Sequence, residues 1–157
     1  MLDRRRFLTV LGTAGAVLAM RPAFAEAGLP KVVVSKDPSC GCCSGWVDHI
    51  RAAGLPVEVR ETAEINRIKV QLGVPTDLAS CHTAEVSGYV IEGHVPVDAI
   101  KRLLVEKPQA KGVAVPGMPV GSPGMEVAGV ANDTYEVVLF GPSGQSTFAR
   151  YQGSHQV

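Results

Sequence analysis

A chain of 157 residues, 46% of them hydrophobic, has the size of one domain with a single buried core. Its 15 basic and 15 acidic residues cancel, and beyond Arg4-Arg5-Arg6 there is no basic run or aromatic-interleaved patch. Nucleic-acid binding therefore lacks its electrostatic source and is excluded as an expected function.

Arg4, Arg5 and Arg6 precede an apolar run from Leu8 to Met20, and Ala23-Phe24-Ala25 supplies a small-residue cleavage pattern. Residues 1–25 are expected to be a signal peptide removed near Ala25, which sends residues 26–157 to the periplasm as one domain. The run is short and broken by Gly12, Thr13 and Gly15, so no stable membrane anchor is expected. The order Asp3-Arg4-Arg5-Arg6-Phe7-Leu8 resembles a twin-arginine signal, a route that exports folded chains. The segment removes Arg4, Arg5, Arg6 and Arg21 against Asp3 alone, which leaves a mildly acidic mature domain.

Lys31-Val32-Val33-Val34 reads as a buried strand closed by a turn at Ser35 to Pro38, with Ser39 placed to cap a helix. Trp46, Val47 and Ile50 recur at helical spacing between Cys40 and Ala53, before Gly54 and Pro56. Val57-Glu58-Val59 predicts a second strand, and Ala63 to Leu72 a second helix ended by Gly73 and Pro75. After a loop from Pro75 to His82, Ala84 to Val90 and the segment to His94 predict two strands. Their turn falls near Ser87-Gly88 or Glu92-Gly93. Pro96 opens a helix through Leu103, Leu104 and Glu106, Lys111 to Gly129 is rich in Gly and Pro, and Tyr135 to Phe140 with Thr147 to Tyr151 predict a late hairpin around Gly141-Pro142-Ser143-Gly144. This order predicts an α/β fold, a thioredoxin-like sandwich with a central mixed sheet and an extra C-terminal β-hairpin.

Three of the four cysteines, Cys40, Cys42 and Cys43, fall at the predicted start of the first helix, where free amides and the helix dipole lower thiol pKa values. In a regular helix Cys40 and Cys43 share a face while Cys42 points away, so either the helix start is unwound around one ion or the thiolates bridge several. A thioredoxin-like loop is expected to bring Cys81 beside that helix start; its neighbour His82 is either a further ligand or, since adjacent residues in an extended loop point apart, a loop hydrogen-bonding group. Sulfurs with an imidazole make a soft ligand set, suited to copper(I) or zinc and not to calcium or magnesium. Two other readings stay open: two structural disulfides, and a redox pair of Cys40 and Cys43 serving a thiol–disulfide oxidoreductase.

Met118 and Met125 lie in the Gly/Pro segment and carry thioethers, soft enough for copper but equally suited to packing a loop across a core edge. His49, His94 and His155 have no ligand partner at helical spacing and read as structural or exposed. Asp37 and Glu85 show no paired spacing for acid–base catalysis. No phosphate loop or serine-nucleophile motif is present, so enzymatic turnover is not the leading expectation.

The motifs Cys40-Gly41-Cys42-Cys43, Ser80-Cys81-His82-Thr83, Gly88 to Pro96 (GYVIEGHVP), Gly117-Met118-Pro119 and Gly124-Met125-Glu126, in this order, resemble a domain-of-unknown-function family of small exported proteins that includes the periplasmic copper-resistance protein CopG. The resemblance spans the mature chain. It implies a thioredoxin-like fold, copper held by Cys40, Cys42, Cys43 and Cys81, and a part in copper resistance or homeostasis beside export pumps and multicopper oxidases. On that basis the expected function is copper(I) buffering, relay or redox cycling by a thiolate cluster.

Overall fold

The computed structural model describes residues 28–157; the expected signal peptide lies outside them. Eight strands form one mixed sheet in the order β2-β1-β3-β4-β5-β6-β7-β8. In chain order these are β1 (Val32–Lys36), helix α1 (Gly41–Ala52), β2 (Val57–Glu61), α2 (Ile65–Leu72), a single 3-10 turn at Thr76–Leu78, β3 (His82–Val86), β4 (Tyr89–Glu92), α3 (Val97–Glu106), β5 (Gly112–Ala114), β6 (Thr134–Gly141), β7 (Gly144–Gln152) and β8 (His155–Gln156). The pairs β1–β2 and β4–β5 are parallel, each joined through a helix as parallel neighbours require, and the other pairs are antiparallel.

Successive strand residues face opposite sides of the sheet, and over the central strands β4 and β5 both sides are covered. Ile91 and Val113 join the main core with Val32, Val34, Trp46, Ile50, Ile100 and Leu103, so α1 and α3 pack on that face. Their neighbours Val90 and Ala114 join a smaller cluster with Val74, Leu78 and Phe140, backed by Leu72 of α2. Trp46 is fully buried and its indole N–H donates to the Val95 carbonyl at 2.9 Å.

The mixed α/β sheet agrees with expectation, with instructive differences. The predicted run from Ala84 to Val90 is cut at Val86 by a two-residue turn in which Ser87 (φ 49°) and Gly88 (φ 85°) both take the left-handed conformation of a tight hairpin. Ser39 does not cap α1: its N–H and hydroxyl both go to Asp37 Oδ1, and Cys40 holds the N-cap position without a capping side chain. The strand β5 gave no signal of its own, being three residues in a Gly/Pro context, and exists because β4 and β6 pair with it from either side. Through β5 the late hairpin β6–β7 continues the central sheet.

Between β5 and β6 the chain makes a lobe, residues 115–133, that crosses the start of α1. Its base is closed by paired hydrogen bonds between Val120 and Asp133, and Val115 N–H donates to the Glu92 carbonyl.

Candidate metal centre

Cys40 is extended (φ −77°, ψ 98°) at the entrance to α1, and this single departure from helical geometry gathers the CxCC sulfurs. Cys40 and Cys43 are joined by a disulfide, while Cys42 and Cys81 are free thiols. Cys42 Sγ lies 3.5 Å from Cys40 Sγ, so it does not turn away as a helix running through Cys40 would demand. The sulfurs of Cys40, Cys42, Cys43 and Cys81 all lie within 4.8 Å of one another.

Cys81 enters from the sheet. The β3–β4 hairpin pairs Thr83 with Glu92, and Gly93 N–H donates to the His82 carbonyl. One further step places Cys81 opposite His94. Cys81 Sγ is 3.0 Å from His94 Nε2 and 3.3 Å from His82 Nδ1, and these three residues form a second set of ligand atoms within 4.8 Å of one another. His94, read from sequence as structural or exposed, is fully buried at the centre.

The proton inventory suits a metal. His94 Nδ1 lies 2.8 Å from the Pro123 carbonyl, which can only accept, so Nδ1 carries the hydrogen and Nε2 presents its lone pair toward Cys81. Burial lowers the pKa of His94, and that of His82 much further, with the charges of His94 and Lys69 adding to the effect at His82. Both imidazoles are neutral at ordinary pH. His82 Nε2 is buried without a hydrogen-bond partner, packed with Trp46 at a ring distance of 4.5 Å. Burial, then the electrostatic influence of neighbouring Cys42, pushes the Cys81 thiol up to about 11, so a bound metal displaces a proton there. The residues present therefore fit a soft cation: sulfur donors, neutral imidazoles with a lone pair available, and a polar nitrogen left unsatisfied.

The lobe closes over this centre. Beyond the Pro123–His94 contact, Ser80 Oγ donates to the Gly117 carbonyl at 2.5 Å, and His49 Nε2 meets Glu126 Oε1 at 2.7 Å. Met118 is 53% exposed and borders a pocket of about 280 Å³ with Ala79, Ser80, Cys81 and Gly117, so it does not fill a core gap. Met125 is half-buried in a turn held by its N–H to the Ser122 carbonyl. His155 is exposed on β8, Asp37 is occupied by Ser39, and Glu85 faces solvent from β3. A cavity of about 690 Å³ along Leu29, Tyr89, Leu104 and Lys107 contains none of the sulfur or imidazole groups.

Residues 78–125 match a family model described as "Protein of unknown function, DUF411". No curated protein sequence matches the chain. Two solved structures, "Copper resistance protein copG" in its Form 2 and Form 1, are each 43% identical with a TM-score of 0.74. The matches cover 78% and 80% of this chain and 98% and 99% of those chains. The 48-residue stretch matched by the family model contains Cys81, His82, His94, Met118 and Met125, and the structural match spreads the likeness over nearly all of the described residues. The chain belongs to the DUF411 family of CopG-like proteins.

Proposed function

We propose that this protein binds copper(I), in the periplasm, through the thiolates of Cys40, Cys42, Cys43 and Cys81, and serves copper resistance as a buffer, a relay or a site of copper redox cycling. The observation that carries the reading is the position of Cys81, whose sulfur belongs at once to the four-sulfur group and to the Cys81–His82–His94 group. A sulfur shared in this way can bridge ions, which a mononuclear tetrahedral site has no need of. The two 43%-identical structures are of a copper-resistance protein, which supports copper over zinc as the cargo. Residues 1–25 act as the signal peptide in this reading, and periplasmic export or multicopper-oxidase components are the partners. Among the described residues no helix is long and apolar enough to cross a membrane.

The test is to reduce the mature protein, load it anaerobically with copper(I) or zinc, and measure metal per chain for wild type, Cys42→Ser and Cys81→Ser. Several coppers per chain, lost in both variants, support the cluster. A single zinc replaces it with a mononuclear site.

The Cys40–Cys43 disulfide favours a second reading, a thiol–disulfide oxidoreductase. Such an enzyme should reduce a test disulfide with Cys42 and Cys81 both replaced by serine, whereas a copper cluster needs all four sulfurs.

A further inference from the structure

Beneath the Cys81 loop lies an ion pair with almost no access to water: the side chains of Lys69 on α2 and Glu92 on β4 are 6% and 0% exposed, with Nζ and Oε1 2.5 Å apart. Burying two charges costs several kcal/mol per ion, roughly as much as the pairing returns, so a fold gains little from such a pair that apolar side chains would not give. The remaining hydrogen bonds of the carboxylate show where it is aimed. Glu92 Oε1 also accepts the backbone N–H of Ser80 at 2.6 Å, and Oε2 accepts the hydroxyl of Thr83 at 2.6 Å, while Lys69 Nζ donates to that same hydroxyl at 2.9 Å.

Ser80 and Thr83 bracket Cys81 and His82. The carboxylate thus grips the ligand-bearing stretch on both sides, and the chain leaving its strand reaches His94 two residues on. Ser80 is held a second time, by its hydroxyl to the Gly117 carbonyl of the lobe. Two clasps on one residue fix the backbone immediately before the sulfur that both ligand groups share.

We infer that the Lys69–Glu92 pair, acting through Ser80 and Thr83, is a positioning device that holds Cys81 against His82 and His94, and that Glu92 and Ser80 are positioning residues for metal binding. The inference rests on the proposed metal-binding function. Groups behind metal ligands typically change affinity by about 10–100-fold when removed, which sets the expected size of the effect.

Two double variants isolate the clasp. Lys69→Met/Glu92→Leu and Lys69→Met/Glu92→Gln are both uncharged at the pair, but only the glutamine version keeps an oxygen for the Ser80 N–H. The first readout is copper(I) affinity of the reduced protein by competition with a chromogenic chelator. The second needs no metal: in the Cys42→Ser background with the Cys40–Cys43 disulfide intact, Cys81 is the one free thiol, and its reaction rate with an aromatic disulfide reports how firmly it is held. The leucine variant is expected to melt cooperatively, to lose about 10–100-fold in affinity and to expose Cys81 to faster reaction, with the glutamine variant close to the parent in both. Equal behaviour of the two variants in both readouts overturns the inference. Should the leucine variant not fold, Thr83→Val, which removes the hydroxyl shared by Glu92 Oε2 and Lys69 Nζ and leaves the contacts of the Cys81 sulfur in place, decides: a fall in affinity with faster Cys81 reaction supports the device, and no change in either overturns it. If wild type takes up no copper while the thiol rates still separate the variants, the metal-binding reading fails and the positioning of Cys81 stands.

Discussion

Gly45 on α1 and Gly124 on the lobe meet backbone to backbone: a Cβ at Gly45 would lie 3.0 Å from Gly124 Cα, and one at Gly124 would lie 2.5 Å from Trp46 N and 2.7 Å from the Cys42 carbonyl. Gly124 also has φ +86°, a conformation that side chains resist. Gly124→Ala is therefore expected to destabilise the protein by about 1–3 kcal/mol from the backbone alone, before the clash is counted. Lifting the lobe also withdraws the Pro123 carbonyl from His94. Thermal unfolding should show the first effect, and weaker metal binding than in a Gly129→Ala control the second, since a Cβ at Gly129 meets nothing within 4 Å.

Replacing His94 should matter more than its sequence context suggests. With the Nε2 lone pair directed at Cys81, His94→Ala is expected to lower copper(I) affinity by about tenfold or more, equivalent to roughly 1.4 kcal/mol. Chelator competition measures this, and an unchanged affinity would remove the imidazole from the centre.

Met118→Ala separates packing from ligation. A side chain 53% exposed contributes little to the core, so the unfolding free energy should stay within about 0.5 kcal/mol of wild type. A larger loss in the metal-free protein would assign Met118 to packing.

The metal-free protein, with Cys40 and Cys43 joined, should be less stable on both sides of neutrality. His82 and His94 have folded pKa values below the ordinary 6.5, so as pH falls through 6.5 the unfolded chain takes up protons that the folded one refuses, and stability declines. Cys81 works in the opposite sense. Its thiol is held up to about 11 against an ordinary 9.0, so stability present below pH 9 is lost as pH rises toward 11. The one tryptophan, Trp46, packs on His82, and its emission should show no step at pH 6.5 while the protein stays folded. A step there would mean that His82 titrates as an exposed imidazole.

Copper uptake should also release protons and weaken with acidity. Each thiol still protonated at the working pH contributes about a tenfold loss of apparent affinity per unit of pH lowered. A pH-independent affinity between pH 6 and 8 would mean that Cys81 takes no part in binding.

The helices and most strands were legible because their apolar spacing is regular and their ends carry Gly or Pro. Strand β5 was not, since Gly112-Val113-Ala114 becomes a strand through its neighbours. At the site, Cys40, Cys42, Cys43 and Cys81 announced themselves by residue type, and His82 by adjacency. His94 was missed because its role depends on the pairing of β3 with β4, and the sequence offered two places for that turn. With the turn at Ser87-Gly88, continuing the pairing outward from Val86 and Tyr89 sets His94 opposite Cys81, so the signal was present once one turn was chosen. The buried Lys69–Glu92 pair had no comparable signal. Lys69 reads as the polar face of an amphipathic helix and Glu92 as the end of a strand, and only their tertiary meeting gives them a role.

The lobe leaves the sheet after Ala114 and returns at Thr134, into the strand that pairs with the one it left. The strands on either side of it stay paired, so residues 116–133 can lift while the β4–β5 and β5–β6 ladders remain intact. In hydrogen-exchange terms, the amides around Gly121 and Met125 would then open by a local route, while those of β4, β5 and β6 wait for global unfolding. Cargo residence time and scaffold lifetime are thereby uncoupled: a metal could come and go on the clock of a loop inside a protein that lasts on the clock of its sheet.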